Sequence, residues 1–119
     1  MDDRLQKALD FSNYMITLDK TKRFLKEQYQ DNLLHFCNGG QFTVTPGLMS
    51  FCQSLISLGQ ESTILIDDND IPVEVENLQK FANDMVDVYS SATNRYLTEY
   101  NKLKKHRSVE GIVDLWAKV

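Results

Sequence analysis

Ser62-Thr63-Ile64-Leu65-Ile66-Asp67-Asp68-Asn69-Asp70-Ile71-Pro72-Val73-Glu74-Val75 reads as a β-hairpin. Two runs rich in β-branched residues flank four polar residues of the kinds that bond their own backbone in turns. Pro72 has no N–H to give to a ladder, so its strand is expected at an edge, or with the proline at a non-bonded position. A lone hairpin is marginal in water, so this one is expected to share a small antiparallel sheet with a further strand.

Upstream, Gln41-Phe42-Thr43-Val44-Thr45 predicts a short strand with Phe42 and Val44 on one face. Thr45-Pro46 then starts a helix, with threonine as the cap and proline where its missing N–H costs nothing. Leu48, Phe51 or Cys52, Leu55 and Leu58 keep helical spacing until Gly59. Downstream, Asn77 caps a long helix. Its seam runs Leu78, Phe81, Met85, Val88, Ala92, Tyr96, Glu99 and Leu103, with Ala82, Tyr89 and Tyr100 beside it. Ser108 is expected to cap a short terminal helix carrying Val109, Ile112, Val113 and Trp116.

The first segment carries Phe11, Met15, Leu18, Leu25, Tyr29, Leu33 and Phe36 at steps of three, four or seven, with Leu5 and Ala8 extending the stripe backwards. That spacing predicts one long helix from Asp3 to Cys37, with a kink near Asn13–Leu18, where the pattern alternates. Asn38-Gly39-Gly40 is expected to end it as a glycine-rich cap. The fold class is therefore α+β and mainly helical. Two long helices accompany a short middle helix and a small antiparallel sheet of one strand plus the hairpin. A single domain over 1–119 is expected, divided at 1–38, 40–76 and 77–119.

Composition narrows the function classes. The chain has 119 residues, 42% hydrophobic and 25% charged, ordinary stock for one globular domain. Its net charge of −4 is unevenly placed, with no Lys or Arg between positions 38 and 76 against six acids there. That argues against a nucleic-acid groove through the middle. Lys102, Lys104, Lys105, His106 and Arg107 lie where a helix dipole favours cations. No run approaches the ~20 apolar residues of a membrane-spanning helix, and the acidic start lacks a signal-peptide layout. No membrane association or secretion is therefore expected.

Sites of chemistry are scarce. Asp67-Asp68-Asn69-Asp70 is the densest acidic cluster, but a calcium loop needs a glycine in its bend and a distal Glu. The cluster reads instead as an exposed acidic hairpin tip. His35, Cys37, Cys52 and His106 match no zinc spacing, and the two cysteines read as buried free thiols. Gly39-Gly40 is followed by no phosphate-loop lysine. No metal, cofactor, small-molecule substrate or catalytic residue is expected. Tyrosines on helix seams suit protein contacts because a hydroxyl can stay wet while its ring is buried. The expected interface is Phe11 and Met15 with Tyr89, Tyr96 and Tyr100.

From Gly40 onward the order of elements resembles a known pattern. Gly40-Gln41-Phe42-Thr43-Val44-Thr45 leads into a short helix, then Ile64 to Val75, then a long helix from Leu78 to Tyr100-Asn101-Lys102-Leu103-Lys104. This resembles a domain of unknown function at the C-terminal ends of bacteriophage tail and tail-fibre-associated proteins. It is also similar to small proteins of T-even-like marine phages. That family has a tryptophan opening the hairpin and a glycine in its turn, where this chain has Thr63-Ile64 and Asn69-Asp70. The resemblance implies a non-enzymatic phage structural or virion-assembly protein, placed in the host cytoplasm or the virion. Its partner would be a phage structural protein or a second copy. The alternative is a small acidic phage regulator binding a host protein through Asp67, Asp68 and Asp70.

Overall fold

A computed structural model describes residues 2–106. The elements are α1 (Asp3–Asn32), β1 (Leu34–Cys37), β2 (Gly40–Thr43), α2 (Pro46–Ser57), β3 (Thr63–Ile66), β4 (Pro72–Val75) and α3 (Leu78–His106). The α+β, mainly helical class is as the sequence predicts. The expected helix at Ser108 lies outside the described residues.

Three helix starts and stops follow the sequence chemistry. The Thr45 hydroxyl accepts from the Leu48 amide at 3.1 Å, and Pro46 opens α2. Gly59, at φ +87°, closes α2 with its amide donating to the Ile56 carbonyl at 2.9 Å. Asn77 Oδ1 accepts from the Lys80 amide at 3.0 Å and caps α3. Thr45→Ala is expected to cost about 1 kcal/mol, read as a lower midpoint in urea with an unchanged slope.

The N-terminal helix is shorter than its spacing predicts. It ends at Asn32, and Leu34–Cys37 pairs antiparallel with Gly40–Thr43 as a second hairpin. Asn38 and Gly39 are its two turn residues, at φ +48° and +80°. Positive φ at both central positions makes the tight turn whose twist matches paired strands. Asn38-Gly39 is thus a hairpin turn, not a helix cap. The expected three-stranded sheet is likewise replaced by two separate two-stranded sheets, β1–β2 and β3–β4.

The chain divides into two compact units, one of Tyr29–Asn94 and the other of Met1–Gln28 with Arg95–Val119. The core of the first joins Phe42, Val44, Cys52, Leu65, Val73, Val75, Leu78, Phe81, Ala82 and Met85. Each hairpin thus gives its inward-facing residues, and α3 gives its first two turns. The Phe81 ring sits 5.2 Å from Phe42, edge to face, and 5.4 Å from His35. On α2 it is Cys52 that is buried and Phe51 that is exposed. Leu58, expected on the inner face, is 79% exposed at the end of that helix. Both cysteines are free thiols; Cys37 is half-buried, and burial pushes the Cys52 thiol up.

In the other unit, Leu18 and Leu25 are buried and Tyr14, Met15, Thr21 and Lys22 half-buried, all on one face of α1. Tyr96 and Tyr100 meet edge to face at 6.2 Å. Lys102, at the basic end of α3, pairs with Glu99 at 3.2 Å on the surface.

Candidate functional site

The acidic turn has a use that its composition does not reveal. In a hairpin closed by a two-residue turn, alternate residues point their N–H and C=O groups away from the partner strand. With Cys37 opposite Gly40, Gln41 and Thr43 are the β2 residues whose amides face outward. Left bare, that edge would offer a template to any passing strand.

Asp67 and Asp68 occupy it. The Gln41 amide donates to Asp67 Oδ2 at 3.1 Å, and the Asp68 amide donates to the Gln41 carbonyl at 2.8 Å. The Thr43 amide donates to Asp68 Oδ1 at 3.1 Å, and the Thr43 hydroxyl to Asp68 Oδ2 at 2.6 Å. Two consecutive aspartates therefore stand in for a third strand, supplying carboxylate oxygens where a strand would supply carbonyls. Charge-assisted bonds of this kind are stronger than neutral ones. A second tie joins the hairpins, from Asn38 Nδ2 to the Glu74 carbonyl at 2.6 Å.

Asp67 also holds its own turn. Its Oδ1 accepts from the Asn69 and Ile71 amides, both at 2.9 Å, and the side chain is only 6% exposed. The Ile71 amide holds the carboxyl below the usual aspartate range, burial opposes this, and the Gln41 and Asn69 amides add to the lowering. Asp67 is therefore a buried structural anion rather than part of an exposed tip. Asp68 is exposed but bonded, and Asp70 is exposed with a left-handed backbone at φ +61°. Of the three acids, only Asp70 fits the sequence reading of a solvated side chain.

The aromatic candidates are spread over both units. Tyr89 is half-buried against the Tyr29–Asn94 core, while Met15 and Tyr96 are half-buried in the other unit. Phe11 and Tyr100 are exposed at 53% and 38%. A cavity of about 140 Å³ is lined by Leu18, Lys22, Tyr100, Leu103 and Lys104. A wider depression of about 550 Å³ lies between the end of α2 and the start of α3, lined mainly by polar residues such as Gln60, Glu61 and Glu76. Among the described residues no group of three His, Cys, Asp or Glu side chains is placed to hold a metal. No described helix is long and apolar enough to cross a membrane.

The larger apolar surfaces lie elsewhere. Along β3, Leu65 faces the core while Ile64 and Ile66 face outward, each more than half exposed. Phe36 on β1 is exposed as well, as are Leu5, Leu9 and Ile16 on α1. Sequence reasoning missed these because strand alternation and helix spacing mark an apolar residue without saying which face meets the core. Compared with family models, curated proteins and solved structures, the chain shows no significant match to any of them.

Proposed function

We propose that this chain is a non-enzymatic protein-contact protein, of the kind bacteriophages use as virion components or assembly factors. The observation that supports it is the outward face of β3. Ile64 and Ile66 are exposed on a strand whose other face already fills the core with Leu65. Contiguous exposed apolar surface on a regular, well-anchored element is what protein contacts use. The phage setting rests on the sequence resemblance from Gly40 onward. Under this reading the protein works in the host cytoplasm or the virion, carries no cofactor and turns over no substrate.

The acidic-regulator alternative loses much of its motive. Asp67 and Asp68 spend their carboxylates on Gln41, Asn69, Ile71 and Thr43. An acidic docking code built on them would have to compete with the fold for the same oxygens.

The test is sedimentation of the chain alone and mixed with candidate phage head and tail proteins. A stable complex weakened by Ile64→Glu with Ile66→Glu, at unchanged thermal midpoint, is the expected result. A chain that stays monomeric and binds none of them overturns the reading.

A further inference from the structure

Helix α1 has two apolar faces. At 100° per residue, Tyr14, Leu18, Thr21 and Leu25 form one ridge, and all are buried or half-buried. Leu5, Leu9 and Ile16 fall on the opposite side, within an arc of about 40°. They are 51%, 41% and 50% exposed. With Ser12 between them, their steps of four, three and four residues are those of a coiled-coil seam. A helix that needed only one covered face would carry polar residues here.

Charge along this outer ridge is ordered. Asp2 stands at its N-terminal end, and Lys20 and Arg23 beyond Ile16, with Glu27 one turn further on, all exposed. Turned end for end, the ridge matches itself. Leu5 then faces Ile16, Leu9 faces Ser12, and Asp2 comes level with position 19, next to Lys20 on the same side of the ridge, with Arg23 one turn beyond. A surface that pairs apolar with apolar and acid with base on reversal is the requirement for a two-fold contact. A parallel arrangement would instead set Lys20 and Arg23 against their own copies. Asp2 already caps α1, its Oδ1 accepting from the Arg4 amide at 3.1 Å, which holds the carboxylate in place at that end.

We infer that the outer ridge of α1 is a self-association surface, on which a second copy of this chain lies antiparallel about a two-fold axis near Asp10. The inference rests on the protein-contact reading above and names one of its partners. It separates from that reading because the β3 face takes no part in the pairing. Antiparallel geometry brings Leu5, Leu9 and Ile16 of one copy into one seam with those of the other. Opposite charges flank both ends.

The experiment is analytical ultracentrifugation of the full chain across a concentration series, with wild type, Leu9→Glu/Ile16→Glu, Asp2→Lys, and Asp2→Lys/Lys20→Asp/Arg23→Asp. Wild type is expected to show a monomer–dimer equilibrium. The Leu9→Glu/Ile16→Glu variant should weaken it at least about tenfold while helical circular dichroism is retained. Asp2→Lys should also weaken it, and the triple charge reversal should restore it, because the match is reciprocal. A photo-crosslinking residue at position 9 should join to the same helix of the second copy. A chain that is monomeric throughout, or a dimer indifferent to these substitutions, overturns the inference. A monomer that still binds a phage structural protein through Ile64 and Ile66 overturns the self-association alone and leaves the broader reading standing.

Discussion

Gly40→Val is expected to be the most damaging single substitution in the β hairpins. A Cβ at Gly40 would lie 2.5 Å from Val73 Cγ2 and 3.2 Å from Phe42 Cε2. Val73 and Phe42 are both buried, at 4% and 2% exposure, so neither has free space to retreat into. Alanine already forces the neighbours apart at a cost of about 1–3 kcal/mol, and valine adds two methyl groups to the same clash. The loss should appear as a lower midpoint in urea for Gly40→Ala and as failure to fold cooperatively for Gly40→Val. Because the clash is with one named side chain, Val73→Ala should recover part of it. The double variant Gly40→Ala/Val73→Ala is expected to be more stable than the sum of the single costs. Gly39 is a useful contrast. A Cβ there meets nothing within 4 Å, but φ is +80°. Gly39→Ala should therefore cost only about 1 kcal/mol, through backbone conformation rather than crowding.

Asp67→Ala should be nearly as harmful, for a different reason. It deprives the amides of Gln41, Asn69 and Ile71 of their acceptor, and two of these close the β3–β4 turn. These donors are part-buried, and a donor shielded from water and left without a partner costs more than the bond it loses. The expected effect is a fall in thermal midpoint on the order of 10 °C. Asp70→Asn, which removes an exposed charge but keeps a residue that tolerates φ +61°, should change it little. Acid should act through the same residue. The folded carboxyl lies below its ordinary value of 3.8, so its contribution is fully present above that pH. It is lost as pH falls through the lower folded value. Wild type should thus lose stability steeply below about pH 4, and Asp67→Asn should show a shallower acid slope from a lower starting point.

Much of the fold is legible in the sequence, and the failures have identifiable causes. Thr45-Pro46, Gly59, Asn77 and the Thr63–Val75 hairpin carry local chemistry that decides their conformation by itself. The end of α1 does not. Leu25, Tyr29, Leu33 and Phe36 keep helical steps across a boundary where the backbone changes to strand. Leu33 is buried and closes the base of the first hairpin, its carbonyl accepting from the Val44 amide at 2.8 Å. Phe36, which continues the apparent stripe, is 67% exposed. The deciding signal was Asn38-Gly39 between Leu34–Cys37 and Gly40–Thr43, a two-residue turn read as the end of a helix. The helical spacing upstream outweighed it only because apolar spacing is indifferent to φ.

The acidic turn was illegible for another reason. Asp-Asp-Asn-Asp describes a solvated loop as long as nothing is known of what lies beside it. Its partners, Gln41 and Thr43, are about 25 residues away in the chain and belong to a strand whose own partner was missed. Without β1, β2 had no defined outer edge, and the carboxylates had nothing to cap. One lost hairpin therefore hid the role of the other. The lysine-free middle of the sequence fits the same picture, since a cation beside Asp67 or Asp68 would compete with the backbone amides for their oxygens.

The central claim is that Asp67 and Asp68 complete the edge of β2. Amide hydrogen exchange at Gln41 and Thr43 tests it most directly. Both amides point away from β1, so only the two carboxylates can shield them. They should be protected to a degree comparable with Phe42 in the wild-type chain, with Gln41 losing protection in Asp67→Ala and Thr43 losing it in Asp68→Ala. Exchange at the rate of an open edge strand in the wild-type protein would contradict the account.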